Sequence, residues 1–168
     1  MADEIVLRPL RWPDLVQAQA IEQESFPVDQ WSAETFWSEL AGVPDRRRYL
    51  AAVTSTGELA GYAGLALATP DCDIQTVVVA PLHRGRGVGE SLLAELLAVA
   101  RNSGCTRCHL EVRSDNQAAL RLYERHGFTP ISNREGYYDE KAGALVMTAE
   151  LADPGESAAG SDSLQAGR

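Results

Sequence analysis

Between residues 88 and 101, apolar side chains fall at 88, 92, 93, 96, 97, 99 and 100. This is the spacing of a helix with one broad buried face, and Gly104 just beyond it supplies a stop. Residues 107–113 (RCHLEVR) alternate instead. Cys108, Leu110 and Val112 share one side and His109, Glu111 and Arg113 the other, which predicts a strand with one face in the core. Residues 74–79 are nearly all apolar, the mark of a central strand buried on both faces. Shorter alternating runs predict strands at 4–8, 49–53 and 59–68, the last two joined by the turn Thr54-Ser55-Thr56-Gly57. Pro13 suits the first turn of a helix whose inner side is Leu15, Val16, Ala18 and Ile21. Phe26 to Gln30 forms a loop. Ser32 caps a short helix through Leu40, with Phe36, Trp37 and Leu40 apolar. Ser114 to Gln117 matches the capping pattern S-x-x-Q ahead of a helix to Arg125, closed by His126-Gly127. Strands at 128–132 and 144–151 complete the order βααβββαβαββ, an α/β chain with a mixed sheet and helices on both faces. Residues 1–152 form one expected domain. Residues 153–168 are small, polar and aperiodic, and are expected to be a disordered tail.

The junction between the apolar strand and the long helix carries the chemistry. Residues 84–89 read RGRGVG. A glycine turn opening a helix aims backbone N–H groups at one point, where the helix dipole also favours negative charge. The segment is neither a P-loop, since no Lys-Ser or Lys-Thr follows, nor a GxGxxG dinucleotide fingerprint, since the third glycine comes one residue early. The spacing is R-x-x-G-x-G, suited to a phosphate-bearing ligand.

Composition narrows the partners. The net charge of -9 argues against a nucleic-acid surface and would suit a cationic substrate. No apolar run approaches the length of a membrane span, and the acidic N-terminus does not read as a signal peptide, so a cytoplasmic protein without membrane contact is expected. The three cysteines, Cys72, Cys105 and Cys108, are expected as reduced thiols. Cys105-x-x-Cys108 lacks a second pair, so a packed Cys108 is expected and no metal.

Several motifs taken together carry a family resemblance. The run Ile74 to Val79 with Pro81, the R-x-x-G-x-G loop, and LEVR-x-x-N-x-x-A-x-x-LY-x-x-x-GF over 110–128 resemble the GCN5-related N-acetyltransferases (GNAT). Within that superfamily the chain resembles the bacterial ribosomal-protein-alanine N-acetyltransferases, the RimI group. Glu22, Phe26, Trp31-Ser32 and 36–40 echo that group's substrate-side segment, and Gly136-Tyr137-Tyr138 its late tyrosine pair. The resemblance spans about residues 5–151 and departs at Gln30, where the group often has proline, at Gly85, and at Asp139 after the tyrosine pair. It implies the GNAT fold, a mixed, mostly antiparallel sheet of about seven strands. It also implies an acetyl-CoA-dependent enzyme acetylating a protein N-terminus, with a ribosomal protein beginning in alanine as the usual acceptor.

By resemblance, Glu111 is the general base and Tyr123 the general acid. Val77, Val78, Val79, Arg84, Gly85, Arg86, Gly87, Val88, Gly89, Glu90 and Asn116 hold the co-substrate, and Trp31, Tyr137 and Tyr138 line the acceptor mouth. Mid-strand placement predicts a half-buried Glu111 with a raised pKa. Each residue also has a structural reading. Glu111 could pair with Arg113 or His109, Tyr123 could pack on Leu120 and Phe128, and Asn116 could cap its helix. Arg84 and Arg86 could be solvated, and Trp31, Tyr137 and Tyr138 could be packing aromatics. His83 and His126 read as loop and cap residues. Two other functions remain open: acetylation of a small amine or a lysine side chain, and a CoA-binding scaffold without turnover.

Overall fold

The computed structural model describes residues 3–134 and 143–151, so Tyr137, Tyr138 and the expected tail lie outside the described residues. The chain runs β1 (Ile5–Pro9), α1 (Leu15–Ser25), α2 (Ala33–Ala41), β2 (Arg47–Thr54), β3 (Leu59–Ala68), β4 (Asp71–Val79), α3 (Val88–Asn102), β5 (Arg107–Arg113), α4 (Gln117–Arg125), β6 (Thr129–Arg134) and β7 (Ala144–Glu150). One 3-10 turn, Trp12–Asp14, leads into α1, and another, Pro81–His83, follows β4. The seven strands form one sheet in the order β1-β2-β3-β4-β5-β7-β6. Every ladder is antiparallel except β4–β5. No helix among the described residues is long and apolar enough to cross a membrane.

Each face of the sheet carries its own apolar cluster. On one side, Leu92, Leu93, Leu96 and Leu97 of α3 pack with Ala63, Leu65, Leu110, Met147 and Tyr123. All four leucines are buried, and each such side chain contributes about 1.5–3 kcal/mol of apolar transfer. On the other side, Ala18 and Ile21 of α1 and Phe36 of α2 cover Ala51, Tyr62 and Val78. Phe36 meets Tyr62 edge-to-face at 5.6 Å. The three cysteines are free and buried, with Cys108 opposite Cys72 in the β4–β5 ladder.

Three expectations need correction. The inner side of α1 is Leu15, Ala18, Ile21 and Glu22, while Val16 is 76% exposed. The stripe steps by three and four residues, which leaves Val16 outside it and brings a carboxylate in. The strand buried on both faces is β3, whose first eight residues are all buried. In β4, Val77 and Val79 are only partly covered. The cap of α4 is Asn116, whose side chain accepts from Ala119 N at 3.1 Å. Ser114 instead accepts from Gly143 N at 3.0 Å and ties the end of β5 to β7.

Two details of the sheet open its centre. Gly64 faces Thr76 and Leu65 faces Ile74, so Gln75 is an extra residue on β4, and such a bulge bends its strand. The β4–β5 ladder runs only from Asp71–Arg107 to Ile74–Leu110. Beyond that point both strands continue apart, and β5 pairs with β7 alone.

Candidate active site

Beyond the end of the β4–β5 ladder, a cleft of about 530 Å³ lies between β4, the start of α3 and α4. Val77 and Val79 of β4, Val88 and Gly89 of α3, and Asn116, Ala119, Leu122 and Tyr123 of the α4 segment form its walls. Ala80 N donates to Ala60 O on β3 at 2.8 Å. By strand alternation Val78 turns its backbone toward β3, while Val77 and Val79 turn theirs toward the cleft. Val79 O accepts from Arg84 Nε at 3.1 Å, and Arg84 Nη2 donates to Ser25 Oγ at 3.0 Å. Arg84 is therefore a brace between β4 and α1, not merely a solvated charge.

The loop after β4 needs its glycines. Gly85 has φ 74° and Gly87 φ 77°, left-handed values that cost other L-residues energy. A Cβ added at either would meet nothing within 4 Å, so the demand is on the backbone and the space beside it stays open. Gly87 is the N-cap of α3, and the N–H groups of the first turn that follows have no partners within the helix. Arg84, Gly85, Gly87, Val88, Gly89, Glu90 and Asn116 line the cleft, as do Val77, Val78 and Val79. Arg86 is exposed and does not line it. Arg121 and Arg125 of α4 line it too, basic groups that sequence reasoning passed over. Their helical spacing of four on the outer face of α4 was the available signal.

Glu90 brings a negative charge into this basic surround. His126 Nε2 lies 2.6 Å from its Oε1, and Arg125 Nη2 donates to its Oε2 at 3.2 Å. Desolvation pushes its pKa up, but these two partners outweigh that and hold the carboxyl below the usual range. His126 is also the C-cap of α4.

A smaller cleft of about 190 Å³ adjoins the first, and Phe26, Val77, Asn116, Ala119 and Tyr123 border both. Its other walls are Glu22, Asp29, Trp31, Gln75, Thr76, Glu111, Val112 and Arg113. Glu111 and Tyr123, 12 positions apart in the chain, thus face one space from β5 and α4. Glu111 is exposed, not half-buried as expected, because β4 leaves its side before residue 111. Arg113 is taken by Asp115 (3.0 Å) and by Asp29 (3.3 Å), and His109 lies 3.8 Å from Asp71. Tyr123 is buried, with its ring edge-to-face on Phe128 at 5.8 Å. The chain reversal there follows the Schellman pattern: Phe128 N donates to Tyr123 O, and Gly127 N to Glu124 O. The cap fixes the ring, so packing and position at the cleft come from one motif.

Trp31 lines the smaller cleft and packs edge-on to Phe36 (5.4 Å) and Tyr49 (6.4 Å). Glu22, expected in the substrate-side segment but given no role there, is 3% exposed. It accepts from Trp31 N at 3.0 Å and from the Tyr62 hydroxyl, so it pins the Trp31 loop over β3. Burial, and then the bond to Glu22, push the Tyr62 hydroxyl pKa far up.

Comparison with known proteins adds four findings. The profile of the Acetyltransferase (GNAT) family matches residues 12–128. The chain is 35% identical over 158 residues to the N-alpha-acetyltransferase RimI of Mycobacterium tuberculosis, covering 90% of this chain and 96% of that one. It is 33% identical over 144 residues to the [ribosomal protein bS18]-alanine N-acetyltransferase of Escherichia coli strain K12, covering 82% and 92%. The crystal structure of the ribosomal-protein-S18-alanine N-acetyltransferase from Escherichia coli superposes with a TM-score of 0.80 at 28% identity, over 91% of this chain and 97% of that one.

Proposed function

Since the chain belongs to the GNAT acetyltransferase family, we propose that it acetylates the α-amino group of a protein N-terminus, a ribosomal protein beginning with alanine, using acetyl-CoA. The observation that carries this reading is the junction of the clefts, where Tyr123 and Val77 border both and Glu111 faces the smaller. A phosphate-bearing, extended co-substrate suits the larger cleft. Glycines at positive φ leave open space beside the first turn of α3, arginines line the rim, and Val77, Val79 and Leu122 form an apolar wall. The backbone of Val77 and the N–H of Val79 face an extended arm in the manner of an added strand, while the Val79 carbonyl already accepts from Arg84.

Acetyl-CoA supplies an acyl thioester. Glu111 removes a proton from the acceptor ammonium, directly or through water, so that the neutral amine attacks. The α-amino group has a reference pKa of about 7.7–8.0, and a modest base suffices. As the new N–C bond forms and the C–S bond breaks, the Tyr123 hydroxyl protonates the departing sulfur; the nitrogen gives up its second proton to solvent, and solvent returns one to the tyrosinate. A phenol with a reference pKa of about 10 still carries its proton at neutral pH; a thiol of about 8.5 is the stronger acid, so the transfer is modestly uphill on reference values and is drawn on by the favourable exchange of a thioester for an amide. Glu22 holds the Trp31 loop, and Arg113 joins β5 to that loop through Asp29, so the acceptor cleft keeps its shape.

The test is thiol release from acetyl-CoA with Ala-, Ser- and Met-starting peptides, each paired with an α-N-blocked copy, and with free polyamines and a lysine peptide. Turnover on the free Ala-starting peptide and none on its blocked copy is the expected result. Turnover confined to polyamines or lysine moves the acceptor elsewhere. CoA binding without turnover on any acceptor leaves a scaffold.

A further inference from the structure

Glu90 is out of place in an anion cleft. It is the third residue of α3, inside the turn whose N–H groups and dipole attract negative charge. Its carboxylate is held by His126 and Arg125, from the opposite end of α4, and both Glu90 and Arg125 line the larger cleft. The ion pair itself is not sealed away. Glu90 and Arg125 side chains are 45% and 59% exposed, so an arriving anion can reach them. Each side of the pair is thus a group that a phosphate either needs or is repelled by.

We propose that Glu90 is a built-in competitor of the cofactor's phosphates. It occupies Arg125 and His126 in the free protein and gives up these partners when a phosphate group of acetyl-CoA enters. The proposal rests on the acetyl-CoA reading above. Before binding, the contact joins the start of α3 to the end of α4 and neutralises part of the rim. On binding, the phosphate takes over Arg125 and the His126 ring N–H, and Glu90 turns to solvent. Affinity is thereby held below what the same cleft would give without the carboxylate, and product CoA, which carries the same phosphates, leaves more readily.

The experiment is calorimetric titration of CoA and acetyl-CoA into the wild type, Glu90→Gln, Arg125→Gln and the double variant, with melting temperatures of each ligand-free protein. Glu90→Gln is expected to bind CoA about fivefold more tightly at low salt, the scale of one exposed ion pair. The gain should shrink at 1 M salt, where the Debye length is about 3 Å. Its ligand-free melting temperature should be unchanged or slightly lower. Arg125→Gln should weaken binding more in the Glu90→Gln background than in the wild type, because only there is the arginine free for phosphate. Unchanged or weaker CoA binding by a folded Glu90→Gln overturns the proposal, as does equal cost of Arg125→Gln in both backgrounds. A wild type that binds no CoA overturns the acetyl-CoA reading itself and this proposal with it.

Discussion

Three carboxylates define the chemistry of this chain by what surrounds each. Glu22 is buried under a tyrosine hydroxyl and a backbone N–H, Glu90 is clamped by two basic side chains, and Glu111 is exposed at the acceptor cleft. Of the three, Glu111 is the exposed one that lines the smaller cleft, and the proposed function assigns the proton exchange to it. Glu111→Gln should lower kcat by about 10²-fold or more, the usual reach of general-base catalysis, with the Kd for CoA nearly unchanged; steady-state kinetics beside calorimetry checks both. A fourth carboxylate is purely structural. Asp14 accepts from Arg8 at 2.7 and 2.8 Å and from Arg11 N at 2.7 Å. The Arg8 bond, stronger than the opposing burial, holds its carboxyl below the ordinary range. A lowered folded pKa means the stabilisation is complete above about pH 4 and fades as the pH falls through the folded value. Asp14→Asn should therefore cost about 2 kcal/mol at pH 7, with the gap to the wild type closing in acid. Denaturant melts at several pH values decide it.

The elements show where local sequence governs and where it does not. The long helix, the alternating β5 and the Ser32 cap, which accepts from Thr35 N at 3.1 Å, were legible because their signals sit within a few residues. At the start of α4 the Asn116 cap was legible but the Ser114 pattern misled: Ser114 satisfies a capping pattern, yet its hydroxyl is claimed by Gly143, 29 positions away. Glu22 was legible only as part of the substrate-side segment; its burial was not, since a buried carboxylate on α1 makes sense only once Tyr62 stands above it. The R-x-x-G-x-G loop was readable as a turn, and its backbone angles give that reading energetic content. Gly87→Ala places a Cβ at φ 77° with no clash to relieve, so the whole cost, about 1–2 kcal/mol, comes from the backbone. Thermal melts should show that loss, and CoA affinity should fall with it because Gly87 opens α3 at the cleft.

At the scale of the molecule, the site is a property of the topology. Glu111 and Tyr123 meet across a space made by β4 departing from β5 after Ile74, and no periodicity in either strand announces that separation. This is why β4 was expected to be buried on both faces and Glu111 half-buried. The same topology sets a global prediction: a co-substrate lying between β4, α3 and α4 ties together parts of the chain that otherwise meet along one flank of the cleft. Acetyl-CoA at about 100 times its Kd should stabilise the protein by about 2.7 kcal/mol and raise its melting temperature by roughly 5–10 °C, measured by differential scanning fluorimetry.

The separation of β4 from β5 has one more consequence. A strand edge with unpaired backbone groups is an aggregation hazard, and proteins keep such edges short, charged or covered. Here the edge lies inside the sheet, walled by α3 and α4 above and the 26–31 loop beside it. A second protein's flat strand cannot slide into a wedge closed at Ile74–Leu110, whereas a thin extended molecule can. The fold thus keeps a reactive sheet edge available without leaving it where neighbouring chains could join it.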